Sequence, residues 1–368
     1  MKKFLAIVLA IVLVLGLVAC GDKKAPAEDK AKETYEIAMI TDVGEIDDKS
    51  FNQGTWEGIK AYAEKNKITH KYYKPTEESV DAYLAAIQLA VEGGAKVIVT
   101  PGYLFETPIY KAQDLYKDVH FILIDGNPND GDYSTDAGPT YRTDDNAVGI
   151  VFAEEEAGYL AGYAAVMDGY TKLGFMGGMA VPAVVRYGYG FAQGAEAAAK
   201  ELGLGAGSID LKYHYTGGFV ATPEAQTLAS SWYSDGTEVI FACGGKVGNS
   251  VMAAAESSKG KVIGVDVDQS KDSKTVITSA MKGLAPAVQS VLEDYYADKF
   301  PGGQSLVLGA AQEGVKLPME TSKFNTFTKD DYDAVYDQLV KGTIALQKDD
   351  VKSADKLGLN SVKVQVIK

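Results

Sequence analysis

Cysteine and histidine are scarce in the 368-residue sequence, which has two cysteines, Cys20 and Cys243, and three histidines, His70, His120 and His214. Two thiols make no disulfide framework, and no Cys/His pair has metal-ligand spacing. Positive charge is in deficit, with 36 Lys plus Arg against 50 Asp plus Glu and a formal charge of −14. That balance argues against a dedicated nucleic-acid or anionic-membrane surface. Catalytic signatures are missing as well: there is no HExxH, no GxSxG and no GxxxxGK[ST]. The apolar run of residues 4–19 is shorter than the roughly twenty residues that span a bilayer. What remains is 46% hydrophobic, 10% aromatic and 23% charged residues, the composition of an ordinary globular protein, in a chain long enough for two lobes.

The first twenty residues, MKKFLAIVLAIVLVLGLVAC, set two lysines before the apolar run and small residues before a cysteine. This is the pattern of a secretory signal. Leu17-Val18-Ala19-Cys20 resembles the lipobox of bacterial lipoproteins, in which cleavage leaves the cysteine as a lipid-bearing N-terminus. Residues 1–19 are therefore expected to be a leader and Cys20 the lipidation site. Residues 20–34 have charge, alanine and one proline but no apolar face, and read as a flexible tether. Loss of Lys2 and Lys3 with the leader takes the formal charge from −14 to −16.

From residue 35 onward, short β-rich runs alternate with helical patterns. Strands are expected at 35–41, 70–73, 96–100 and 120–124, with helices at 51–65 and 80–92. The pattern restarts after residues 141–149, with strands at 172–176, 211–215, 239–242 and 261–265 and helices at 154–167, 184–202, 223–233 and 248–257. Strands with apolar runs such as VIV in KVIVT and FILI in HFILI suit a parallel sheet buried on both faces. The expected fold class is α/β, with two doubly wound parallel-sheet lobes and ligands bound beyond the carboxyl ends of the strands.

Those strand ends carry a repeated signal. Asp42, Asp125 and Asp266 each follow an apolar run, as do Gly102 and the Gly244-Gly245 pair. A single aspartate there is an ordinary cap or turn former; three point to a ligand rich in hydrogen-bond donors and neutral or cationic. Aromatics stand at the same ends: Phe51 opens the first helix, Tyr103 and Phe105 follow a strand, and Phe219 follows a Thr-Gly-Gly turn. Aromatic rings facing each other across a cleft, with carboxylates beside them, describe a nucleoside pocket.

These residues resemble a known family. TDVGEIDDKSFNQG (41–54), VIVTPGYLF (97–105), FILIDG (121–126), PAVVRYGYGFAQG (182–194), VIFACGGKVGNSV (239–251), VIGVDVDQ (262–269) and VITSAMK (276–282) resemble, in order, the blocks of the basic membrane protein family. Its members are bacterial solute-binding lipoproteins described as purine-nucleoside receptors. The resemblance implies a type I periplasmic-binding-protein fold with a three-segment hinge, serving an ABC-type importer. It implies a base held between Phe51 and Phe219, a base contact at Asp125, ribose contacts at Gly245, Asp266 and Lys282, and further ligand contacts at Asp42 and Asn52. Lys246 and Cys243 depart from the small residues commoner in relatives.

On this reading lobe 1 comprises residues 35–147 and 268–303, and lobe 2 comprises 148–267 and 304–368. The glycines and polar residues at 146–149, 267–270 and 302–304 mark the expected crossings. The expected ligand is guanosine, inosine or adenosine, with no cofactor and no metal. The other expected partners are importer permease subunits and a membrane reached through lipid, and the expected state is a monomer. A receptor of the same fold for a ribose-like sugar or another small polar molecule remains open, as does a nucleoside hydrolase. Residues 266–270, DVDQS, begin like a calcium loop, but Lys271 stands where glycine is needed and Ile277 where a bidentate glutamate belongs.

Overall fold

Apolar runs too short to make stable helices become buried parallel strands, and the amphipathic segments between them become the crossovers that cover the sheets. The computed structural model describes residues 34–368 apart from 43 and 136; the expected leader, most of the tether and Cys20 lie outside the described residues. In chain order the first elements are β1 (Ile37–Ile40), α1 (Phe51–Asn66), β2 (His70–Tyr73), α2 (Val80–Glu92), β3 (Val97–Pro101), α3 (Glu106–Leu115), β4 (His120–Ile124) and β5 (Ala147–Phe152). Then come α4 (Glu154–Met167), β6 (Lys172–Gly177), α5 (Pro182–Glu201), β7 (Ile209–Tyr215), α6 (Pro223–Ser234), β8 (Val239–Cys243), α7 (Val247–Ser258), β9 (Lys261–Asp266) and β10 (Val276–Lys282). The chain ends with α8 (Leu284–Tyr296), β11 (Gln304–Leu308), β12 (Val315–Lys316), α9 (Lys329–Val340) and β13 (Val362–Val366).

Among the described residues the strands form a six-stranded sheet ordered β11-β5-β4-β3-β1-β2 and a seven-stranded sheet ordered β12-β10-β9-β8-β6-β7-β13. Neighbours are parallel except for the short antiparallel pair β10–β12. Each sheet is the heart of one lobe, so the doubly wound α/β architecture stands. Local interactions set the bounds of α2: Ser79 caps it by accepting from the Ala82 N–H at 3.2 Å, and Gly94, at φ +96°, ends that helix in the left-handed conformation.

The lobe boundaries differ from those expected. Residues 147–152 pair with β4 on one side and with 304–308 on the other, from Gln304↔Val148 to Leu308↔Phe152, so β5 and β11 belong to the first sheet. Residues 276–282 pair with β9 in the second sheet, while α8 packs on α1 in the first lobe. The chain therefore crosses near residues 152–154, 282–284 and 308–310, not at 146–149, 267–270 and 302–304. Glycine misled the expectation, because Gly149 lies inside β5. A Cβ there would come within 2.3 Å of Asn127 Oδ1, so this glycine permits close approach and is no pivot. Corrected lobe 1 is about 34–152 with 283–308, and lobe 2 about 153–282 with 309–368.

The glycine-rich run at 188–194 also has a packing role. A Cβ at Gly190 would lie 2.1 Å from the Glu155 carbonyl oxygen, and one at Gly158 would lie 2.1 Å from that of Tyr187. Small residues on both helices thus let the backbones of α4 and α5 touch. This clamp fixes the first turn of α4, which lies directly after the first crossing.

Candidate functional site

Two strand ends launch carboxylates in the same manner. Asp125, just after β4, and Asp266, the last residue of β9, adopt φ of +57° and +65°. The left-handed region is unfavourable for residues with a Cβ and is least costly for Asp and Asn, so the chain holds local strain on each side of the cleft. Asp42 follows β1 and accepts from the Gly44 N–H at 2.6 Å and from Asn52 Nδ2 at 2.9 Å.

The start of α1 is organised by Asp48. Its Oδ1 accepts from the Ser50 and Gln53 N–H groups at 2.9 and 3.0 Å, and its Oδ2 accepts from that of Asn52 at 2.9 Å. Satisfying the free N–H groups of the first turn holds Phe51 and Asn52 at the cleft. Phe219 comes from the loop between β7 and α6, where its carbonyl accepts from the Lys246 N–H at 2.9 Å. Gly178 has to be small here, because a Cβ would meet the Phe219 ring at 2.6 Å.

Between the lobes lies a cavity of about 670 Å³. Asp42, Phe51, Asn52 and Asp125 line it from the first lobe, and Phe219, Gly245, Asp266 and Lys282 line it from the second. All the ligand-contacting residues expected from sequence are thus gathered around one space, with the two phenylalanines on opposite lobes. Sequence reasoning missed Ser50, Glu154, Arg186 and Tyr187. Ser50 Oγ donates to Asp266 Oδ2 across the cleft, and Glu154, Arg186 and Tyr187 line the cavity. A run of three glutamates directly after an apolar strand was the available signal for Glu154.

Lys282 lies at the base of the cavity, only 4% exposed. Its ammonium donates to Asp125 Oδ2 and pairs with Glu154 Oε1 at 3.1 Å. It also lies 5.2, 5.5 and 5.4 Å from the ring centres of Phe51, Phe152 and Tyr187, within cation–π range. Burial alone would depress this lysine, but Asp125, Glu154 and Asp266 hold it above the usual lysine range. Burial pushes Asp125 up to about 7 against the pull of Lys282, raises Asp266, and pushes Asp42 up to about 6. Asp125 Oδ1, Asn52 Oδ1 and Glu154 Oε2, all on residues lining the cavity, are buried acceptors without a hydrogen-bond partner. Buried polar atoms are normally satisfied, so such acceptors mark where a donor-bearing ligand fits.

The departures from the family pattern have physical explanations. Lys246 Nζ meets Asp47 Oδ1 at 3.0 Å, joining the rims of the two lobes. Cys243 is a free, buried thiol at the end of β8, and burial, with the neighbouring Asp266, pushes it up from the ordinary thiol range. The histidines sit away from the cavity. His70 contacts the Ile68 carbonyl, His214 that of Ile367, and His120 packs on Tyr295 and Phe300. Asp268 caps the Ser270 N–H and accepts from Thr321. Among the described residues no group of three His, Cys, Asp or Glu could hold a metal, and no helix is long and apolar enough to cross a membrane.

A cleft between two parallel-sheet lobes, lined by aromatics and carboxylates, agrees with what known proteins show. The profile of the Bmp family, ABC transporter substrate-binding protein PnrA-like, matches residues 35–353. The chain belongs to this family. A relative from Listeria innocua, called a CD4+ T-cell-stimulating antigen, is 31% identical over 342 residues, covering 86% of this chain and 90% of its own. The ABC transporter nucleoside-binding protein BmpA of Lactococcus lactis is 27% identical over 348 residues, covering 88% and 93%. A solute-binding protein of an ABC transporter system from Aeropyrum pernix superposes with a TM-score of 0.72 at 20% identity, covering 86% and 94%, which supports the periplasmic-binding-protein fold. Members of the Bmp family are substrate-binding components of ABC transporters, not enzymes, and the hydrolase reading is set aside on that ground.

Proposed function

We propose that this Bmp-family chain captures purine nucleosides by closure of its two lobes and delivers them to the permease subunits of an ABC importer. It works as a monomer on the extracytoplasmic face of the cell membrane, tethered by lipid on Cys20. The observation that carries the reading is the pairing of Phe51 and Phe219 on opposite sides of a cavity whose base holds the unpartnered acceptor Asp125 Oδ1. Stacking on such rings is worth on the order of 1 to 3 kcal/mol per base. Asp125 accepts from base N–H groups, while Asp266 and Lys282 meet the ribose hydroxyls, with Asp42, Asn52 and Gly245 completing the lining. Ligand favours the closed form by its greater affinity for that form. The excess of carboxylates around the cavity repels phosphate and so disfavours nucleotides. The name of the Lactococcus lactis relative points the same way.

Calorimetric titration with guanosine, inosine, adenosine, ribose and the free bases tests the proposal. At least one nucleoside is expected to bind far more tightly than ribose. Ribose binding as tightly as guanosine would favour the sugar-receptor reading and remove the base clamp.

A further inference from the structure

We infer that Glu154 is a positioning residue that fixes the Lys282 ammonium for the ligand's ribose. The inference rests on the nucleoside reading and deepens it. Glu154 is 1% exposed and opens α4 immediately after the first crossing, whereas Lys282 ends β10 immediately before the second. Two carboxylates flank the lysine from different lobes: Asp125 Oδ2 accepts from it, and Glu154 Oε1 pairs with it at 3.1 Å. An ammonium carries three N–H donors, so two anchors leave one for a ligand hydroxyl and also fix its direction.

Glu154 also has a cation on its other side, at ion-pair rather than hydrogen-bond distance. Its Oε2 lies 3.6 Å from Arg186 Nη1, and Arg186 Nη2 donates to Asp349 Oδ2 at 3.0 Å. Glu154 stands on α4 and Arg186 on α5, the helices whose backbones touch at Gly158 and Gly190, so this support belongs to the most tightly joined pair in the second lobe. The negative side chain also lies in the first turn of its helix, where the dipole favours it. Without the Glu154 charge, Lys282 keeps only its Asp125 anchor and its ammonium is free to swing away from the ribose. Asp125 remains available to the base.

The test compares guanosine with free guanine on the full chain by calorimetry. Glu154→Gln is expected to weaken guanosine at least tenfold and guanine less than threefold, with Glu154→Asp recovering most of the loss. Lys282→Gln and the Glu154→Gln/Lys282→Gln double variant are expected to bind guanosine equally weakly, because one residue acts through the other. If Glu154→Gln does not fold, Arg186→Gln and Glu154→Asp are compared in its place, with the same selective loss expected from Arg186→Gln. Equal losses for guanosine and guanine, or additive losses in the double variant, overturn the inference while leaving the nucleoside reading intact. A wild-type chain that binds no nucleoside overturns both.

Discussion

Ser50 Oγ donates a 2.5 Å hydrogen bond to Asp266 Oδ2, joining the start of α1 in the first lobe to the end of β9 in the second. Gln269 Nε2 adds a second crossing bond to the Lys49 carbonyl at 2.8 Å. A bond to a charged group contributes roughly 1.5 to 3 kcal/mol net. Ser50→Ala is therefore expected to weaken nucleoside binding by about tenfold, mainly through faster release, as read by stopped-flow fluorescence. An unchanged release rate would show that this bond does not hold the lobes together.

The ring pair carries a separate expectation. Phe51→Ala and Phe219→Ala should each lower affinity at least tenfold, about 1.4 kcal/mol per decade, while the folded state survives because both rings line a cavity and are only partly buried against the core. Calorimetry with circular dichroism on each variant checks both halves. Retention of wild-type affinity in both variants would mean that the base lies elsewhere.

Asp42 predicts a pH dependence of the ligand-free protein. Burial raises it from the ordinary value of 3.8 to about 6, so the fold favours its protonated form. Its stabilising share is full below the unfolded value and is lost as pH rises through about 6. The melting temperature of wild type minus that of Asp42→Asn should therefore decline between about pH 4 and pH 7. A difference that stays constant over that range would count against titration of this carboxyl in the fold.

Cys20 gives a cellular test. Cys20→Ser is expected to release the exported chain into the soluble fraction, followed by immunoblotting of membrane and supernatant. Continued membrane retention would contradict lipid anchoring.

Much of the frame was legible because it depends on local pattern. HFILI at 120–124 is apolar from Phe121 to Ile124 and became β4, buried over those four residues, and the helix over Val80–Glu92 falls where the helical pattern at 80–92 put it. The strand-end aspartates were visible too, since an acidic residue closing an apolar run breaks the pattern. What escaped were features whose cause lies far along the chain. Residues 146–149 and 302–304 look like crossings when read singly, and only the mutual pairing of 147–152 with 304–308 makes these runs strands of the first sheet.

The order of apolar runs and amphipathic segments, read without coordinates, already determined an acidic α/β chain of two lobes with aspartates and phenylalanines at the strand ends, because short-range periodicity and charge are properties of neighbours in sequence. Tertiary structure alone decided where the chain crosses between lobes and how Lys282, Asp125 and Glu154 share one buried charge cluster. Those outcomes depend on the register of strands more than a hundred residues apart and on the desolvation that their packing imposes, and neither is written in any local stretch of residues.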